Sequence, residues 1–185
     1  SLEIARRSLG RYLSGSAMLL AGRYREHPSP GRPSAVSAGR LAGSARFSTR
    51  PLTFGRFHIV QAVTLRQALY TEGEHQLAVL TRTELGIRFS PSARTDIAWE
   101  ERTSSGESPF LFDQIEVPRS LTLDGVVGLT HGWRVELRAL HDAQRHEFRD
   151  MDLRIVRRAH CLEYSAKWRK ARGQFVFEVG LAPFR

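Results

Sequence analysis

The sequence predicts an all-β fold: an antiparallel β-sandwich or barrel of about eight to ten strands, preceded by an amphipathic N-terminal helix and an irregular basic extension. Three observations carry that expectation. Beyond Phe57 apolar and polar residues alternate with a period of two. The stretches so patterned are short and follow one another with no long helical pattern between them. Residues before Pro51 have a different composition, rich in Arg, Ser, Gly and Ala. The expected division is therefore 1–50, a basic leader or extension, and 51–185, a β-rich domain.

The helical expectation comes first in the chain. On a 3.6-residue period Leu2, Ala5, Leu9, Tyr12 and Leu13 share one face, and Arg6, Arg7 and Arg11 share the other. No acidic residue occurs from Ile4 to Arg25. A basic, acid-free amphipathic segment of this kind resembles the transit peptides that direct import into mitochondria or plastids. The apolar face suits a receptor groove, and the membrane potential drives the cationic face inward. Residues 28–50 are Pro-, Gly-, Ser- and Ala-rich and read as an unstructured linker. Within them Arg46, two residues before the Phe47–Ser48 bond, resembles the arginine-minus-two pattern of matrix processing peptidases.

The strands follow. "WRVELRAL" sets Trp133, Val135, Leu137 and Ala139 against Arg134, Glu136 and Arg138, the signature of a strand with one face in a core. Met151/Leu153/Ile155, Leu162/Tyr164/Ala166/Trp168 and Phe175/Phe177/Val179/Leu181 repeat it. Candidate strands lie near 57–63, 76–82, 85–89, 96–102, 110–117, 120–123, 126–130, 133–140 and 147–156, with a hairpin over 160–181. Asp124–Gly125 reads as a type I′ hairpin turn, and Leu65–Tyr70 admits one helical turn.

Charge is unevenly placed. Residues 1–50 carry nine Arg against Glu3 and Glu26, whereas the remaining 135 carry 19 basic and 17 acidic side chains. Within the β-rich part, 153–185 holds eight basic to two acidic residues, and 51–152 holds 11 to 15. The cations Arg154, Arg157, Arg158, Lys167, Arg169, Lys170 and Arg172 form a basic hairpin suited to docking on an acidic protein, RNA phosphate or anionic lipid. Tyr164 and Trp168 alternate with them and are expected in the core. Arg outnumbers Lys 26 to two and Asn is absent, a bias that fits a GC-rich genome as well as any ligand.

Chemistry is sparsely indicated. The lone Cys161 excludes an internal disulfide and a multi-cysteine zinc site, and is expected to be buried. His141, Asp142, His146 and Glu147 fall in an expected hairpin loop, where a solvated turn is the plainer reading than a metal site. Glu100, Glu101 and Glu107 read as a solvated loop. No nucleophile-elbow, P-loop or dinucleotide-binding spacing occurs, so no catalytic residue, metal ligand or cofactor is assigned. The longest early apolar run, Ala17–Gly22, is too short for a membrane-spanning helix, and the chain is expected to be soluble or peripherally attached. The resulting expectation is a non-enzymatic accessory subunit of a large mitochondrial assembly of the respiratory-chain or ATP synthase type, in the matrix or on the matrix-facing inner membrane, held by other protein subunits. An RNA-contacting mitochondrial ribosomal protein and a β-barrel enzyme or ligand carrier stand as alternatives.

Overall fold

The computed structural model describes residues 2–28 and 34–181, without the side chains of residues 4–6. Twelve strands account for most of them: β1 Leu2–Ser8, β2 Leu13–Glu26, β3 Val36–Thr49, β4 Leu52–Phe54, β5 Phe57–Tyr70, β6 His75–Ser90, β7 Ala93–Gly106, β8 Arg119–Gly128, β9 Trp133–Asp142, β10 Glu147–Ala159, β11 Leu162–Arg169 and β12 Gln174–Leu181. Hydrogen-bonded neighbours run β1-β2-β3-β5-β6-β7-β8-β9-β10-β11-β12, with β4 on β5. Every pair whose register is described is antiparallel, so the chain is a meander. The all-β expectation holds, but among the described residues the strands number twelve, not eight to ten, and they form one open sheet in place of a sandwich or closed barrel.

The N-terminal helix does not. Leu2–Ser8 is a strand, in register with β2 through Leu2↔Leu19 and Ile4↔Ala17. A neighbouring strand supplies hydrogen bonds that override a helical periodicity only a few turns long. The irregular extension is likewise replaced over 36–49 by β3, paired with β2 along its whole length. Among its Gly, Ala and Ser residues, read as linker composition, Gly39 leaves room for the Thr71 side chain, which a Cβ there would meet at 2.5 Å.

Other strands are longer than expected. The segments near 76–82 and 85–89 are one 16-residue strand, β6, and Leu65–Tyr70 continues β5. Asp124–Gly125 makes no turn: Asp124↔Arg138 and Gly125↔Leu137 lie in an unbroken ladder with β9. In place of the strand expected at 110–117 there is a short 3-10 turn, Leu111–Asp113. Cys161 is exposed, because His160–Cys161 forms the two-residue turn joining β10 and β11, with His160 at φ 55. In β10 the register slips between Phe148 and Asp150, so Arg149 is the extra residue of a β-bulge.

Two compact units divide the chain: residues 1–50, 60–82 and 101–118, and residues 51–59, 83–100 and 119–185. In the first, the covered side of the sheet is small or polar, with Ser14, Ala38, Arg40, Ala42, Ser48, Ala62, Ala68 and Tyr70 buried. The opposite face shows Leu19, Leu41, Phe47, Val63, Leu65 and Leu69 to the surroundings. In the second unit the same inversion holds. Arg134, Glu136, Arg138, Asp152, Arg154, Glu163 and Lys167 share one face by register, and Val135, Leu137, Leu153, Ile155, Tyr164 and Phe177 the other. The alternation expected from sequence is present, but the apolar side is not a core. Among the described residues no Leu, Ile, Met or Trp is buried.

Candidate functional site

In the first unit the polar face receives the Leu111–Asp113 turn. The side chain of Asp113 is fully buried, and its carboxylate collects four donors: Arg40 Nη2 at 2.7 Å and Arg66 Nη2 at 2.6 Å on Oδ1, and Tyr70 Oη at 2.7 Å and Ser108 Oγ at 3.4 Å on Oδ2. Gln76 Nε2 donates to its carbonyl at 3.2 Å. The strands fix these donors: Arg40 lies opposite Tyr70 and Ser44 opposite Arg66 across β3–β5. Beside the carboxylate, Phe110 is wholly buried among Tyr24, Tyr70 and Phe112, with ring centroids at 6.3, 5.8 and 4.8 Å. The Leu111 N–H donates to Glu26 at 2.9 Å. A turn that could have been solvated is thus tied into the polar face by a buried anion.

In the second unit the polar face is a lattice of alternating charge. Arg134 Nε meets Glu136 at 2.6 Å, and Arg158 Nε meets Glu163 at 2.8 Å. Arg154 reaches Glu136, Glu163 and Glu178 at 3.6–3.7 Å. Lys167 pairs with Asp152, and Arg138 Nε with Asp124 at 3.7 Å. Because cross-strand neighbours share a face, ions of opposite sign on successive strands neutralise one another in rows.

The apolar face is graded. Across β9–β12 one row reads Trp133, Arg157, Tyr164, Val179, and the next two read Val135, Ile155, Ala166, Phe177 and Leu137, Leu153, Trp168, Phe175. Beyond Ala139↔Met151 the far row is His141↔Phe148. At one margin the Arg157 guanidinium lies 5.2 Å from the Trp133 ring centroid; at the other Lys170 Nζ lies 5.8 Å from that of Phe148. Cation-capped aromatics therefore bound an apolar strip that itself holds Trp168, Phe175 and Phe177. From Trp133 to His141 is eight residues, about 27 Å at ~3.4 Å per residue.

These rows redistribute the basic hairpin. Arg154, Arg158 and Lys167 turn to the polar face and meet carboxylates, and Arg169 lies opposite Asp152. Arg157 stands on the apolar face, and Lys170 and Arg172 lie in the β11–β12 turn. Tyr164 and Trp168 lie on the uncovered apolar face, not in a core. Of the leader cations, Arg7 is exposed in β1, Arg11 lies 5.6 Å from the Tyr12 ring centroid, and the Arg6 side chain falls outside the described residues. His141 packs edge-on against Phe148 at 5.1 Å. Asp142 is no ligand to it: Oδ1 accepts the N–H groups of Gln144 and Arg145, and Oδ2 takes Arg149 Nε at 3.3 Å.

Sequence reasoning missed Asp113 and its donors, which lie 37 to 73 residues away from it in sequence where their interactions are long-range. The charge lattice was visible as alternation, but nothing in the alternation says which face is covered. An antiparallel meander with a covered polar face and an uncovered, aromatic-edged apolar face is the class of protein that fold and site define. No family model, curated protein or solved structure matches the chain.

Proposed function

We propose that this chain is a membrane-spanning β-sheet protein, with its apolar face against lipid hydrocarbon and its charged face along a water-filled path for hydrophilic solutes. The inversion of the two faces carries the reading. A sheet in water covers its apolar side; this one covers Ser, Thr, Arg and Asp and leaves Leu, Ile, Val, Phe and Trp uncovered. Transmembrane β-barrels have this pattern, with an outward apolar band about 25 Å tall, aromatic girdles at both margins and a polar interior; in lipid the edge strands β1 and β12 would need partners, from each other or from another copy. At a tilt of about 35–45°, the roughly 27 Å from Trp133 to His141 rises about 19–22 Å along the membrane normal, most of that band.

Strand length agrees. β2, β3, β5, β6 and β7 run 14–16 residues, against about 5–6 in ordinary globular sheets and about 9–11 needed to cross a bilayer. Among the described residues no helix is long and apolar enough to cross a membrane, a criterion that does not concern strands. The basic hairpin adds little to docking on an acidic partner, since Arg154, Arg158 and Lys167 already face carboxylates of the same unit.

Tryptophan fluorescence in lipid vesicles tests the reading, because all three tryptophans, Trp99, Trp133 and Trp168, lie on the apolar faces of their strands. Brominated acyl chains should quench most of the emission, with little quenching by aqueous iodide. Strong iodide quenching with no effect of brominated lipid, in protein that stays monomeric without detergent, would reject it.

A further inference from the structure

A second constellation lies in the unit formed by residues 51–59, 83–100 and 119–185, and its interpretation does not depend on the membrane reading. His58 on β5, Glu84 on β6 and Asp96 on β7 each direct one ligand-type atom to a common point, all within 4.8 Å of one another. His58 Nε2 lies 3.4 Å from Asp96 Oδ1 and 4.0 Å from Glu84 Oε1. Ligands about 2.0–2.1 Å from a tetrahedral cation sit roughly 3.3–3.4 Å apart, so one of the three edges is already in place, and the other two, 4.0 Å for His58–Glu84 and within 4.8 Å for Glu84–Asp96, close by rotamer adjustment. Each side chain is partly buried, and among the described residues no other such group occurs.

Two further features of the cluster are compatible with a bound cation. The first is Gly86, buried beneath the His58 ring and the Asp96 carboxylate. A Cβ there would collide with the His58 ring and come within 2.5 Å of Asp96 Oδ1. Its φ is not positive, so the backbone does not need glycine; the space does. The second is the division of labour at Asp96. Arg94 Nε approaches Oδ2 at 3.9 Å and leaves Oδ1 on the side of His58 and Glu84. At that distance Arg94 is a nearby charge and not a hydrogen-bond donor, but it lies on the side of Asp96 where metal-binding carboxylates commonly have an outer partner.

We propose that His58, Glu84 and Asp96 form a binding site for a divalent transition cation of the Zn2+ type, with three protein ligands and a water in the fourth position. One imidazole and two carboxylates are a borderline donor set that suits Zn2+ better than Ca2+ or Mg2+, which prefer oxygen alone. The two carboxylates balance the charge of the ion. Glu84 and Asp96 also line an open groove of about 490 Å³ with Asp124, Glu136, Arg138 and Lys167, through which the fourth position reaches solvent.

The test uses the full chain in detergent, stripped with chelator and titrated with ZnCl2 by calorimetry and with CoCl2 by visible absorption. One equivalent should bind, and Co2+ should give the intense bands of tetrahedral geometry. His58→Gln should weaken binding by more than the roughly 10- to 100-fold typical of losing an outer partner, and should abolish the bands. Gly86→Ala keeps all three ligands and should weaken binding as severely, by filling the space the ring occupies. Should Gly86→Ala fail to fold, as circular dichroism would reveal, His58→Gln and the Co2+ spectrum decide. Absence of stoichiometric binding, or binding and bands untouched by His58→Gln, overturns the proposal.

Discussion

Leu153→Arg separates a lipid-facing sheet from a water-facing one by free energy alone. Leu153 lies in the middle of the five rows of the apolar strip, between Leu137 on β9 and Trp168 on β11, with two rows to either margin. It is 36% exposed, so an arginine there enters no packed core and displaces no partner. In water such a change stays within about 0.5 kcal/mol. On a lipid face the same arginine sits near the bilayer midplane, where the cost is about 2–4 kcal/mol. The long side chain lets the guanidinium lean toward a margin, which favours the lower half of that range. The assay is a urea titration of vesicle-reconstituted protein followed by tryptophan emission, with Arg157→Leu at the margin as a control for changing charge on this face. A shift below about 0.5 kcal/mol for Leu153→Arg in vesicles would refute the assignment of this face to lipid.

Other expectations follow from the polar side and the turns. Asp113→Ala strands Arg40, whose side chain is only 4% exposed, and should destabilise by about 3–5 kcal/mol; Arg66, 45% exposed, adds under about 1. Chymotrypsin should then cleave at Phe110 and Phe112, and the Arg40→Met/Asp113→Ala double variant should recover part of the loss; a double variant as unstable as the single one would contradict the buried-ion account. Arg154→Glu leaves Glu136, Glu163 and Glu178 without their shared cation, and in planar bilayers should move the reversal potential toward cation selectivity; an unchanged potential would exclude this face from the conducting path. Cys161, exposed in its turn, should react with a membrane-impermeant maleimide in intact vesicles, whereas a cysteine at Leu153 in a Cys161→Ala background should not until detergent is added.

How much was legible in the sequence depended on which interactions are local. The alternation in 133–139, 151–155, 162–168 and 175–181 gave β9 to β12 nearly in full, because a period of two is visible within a few residues. The polarity of burial was not legible. Trp133, Val135 and Leu137 make the same pattern whether the apolar side meets a core or a bilayer, and only the strands packed against each face decide. The N-terminal third failed for a related reason: Leu2, Arg6, Leu9 and Leu13 fit a helix locally, but pairing with β2 and β3 is a long-range fact. Asp124–Gly125 shows the limit of turn chemistry, since a hairpin signal inside a continuous ladder has no loop to make. His58, Glu84 and Asp96 sit on three strands, 12 to 38 residues apart, and no spacing rule links them.

The bulge at Arg149 bears on how such a chain can change length. Two-residue periodicity makes insertions and deletions a parity problem: one added residue in β10 carries Leu153 and Ile155 into the charge lattice and Asp152 and Arg154 onto the apolar face. An even change preserves the sides, and an odd one does so only if a residue loops out of the ladder. Arg149 is such a residue already. Phe148 beside His141 keeps the apolar side, Asp150 beside Leu140 keeps the polar side, and the supernumerary Arg149 is held by Asp142 and Glu147. Odd-length variation among descendants of this sequence should therefore collect at the turns and at this bulge, and strand interiors should gain or lose residues in pairs.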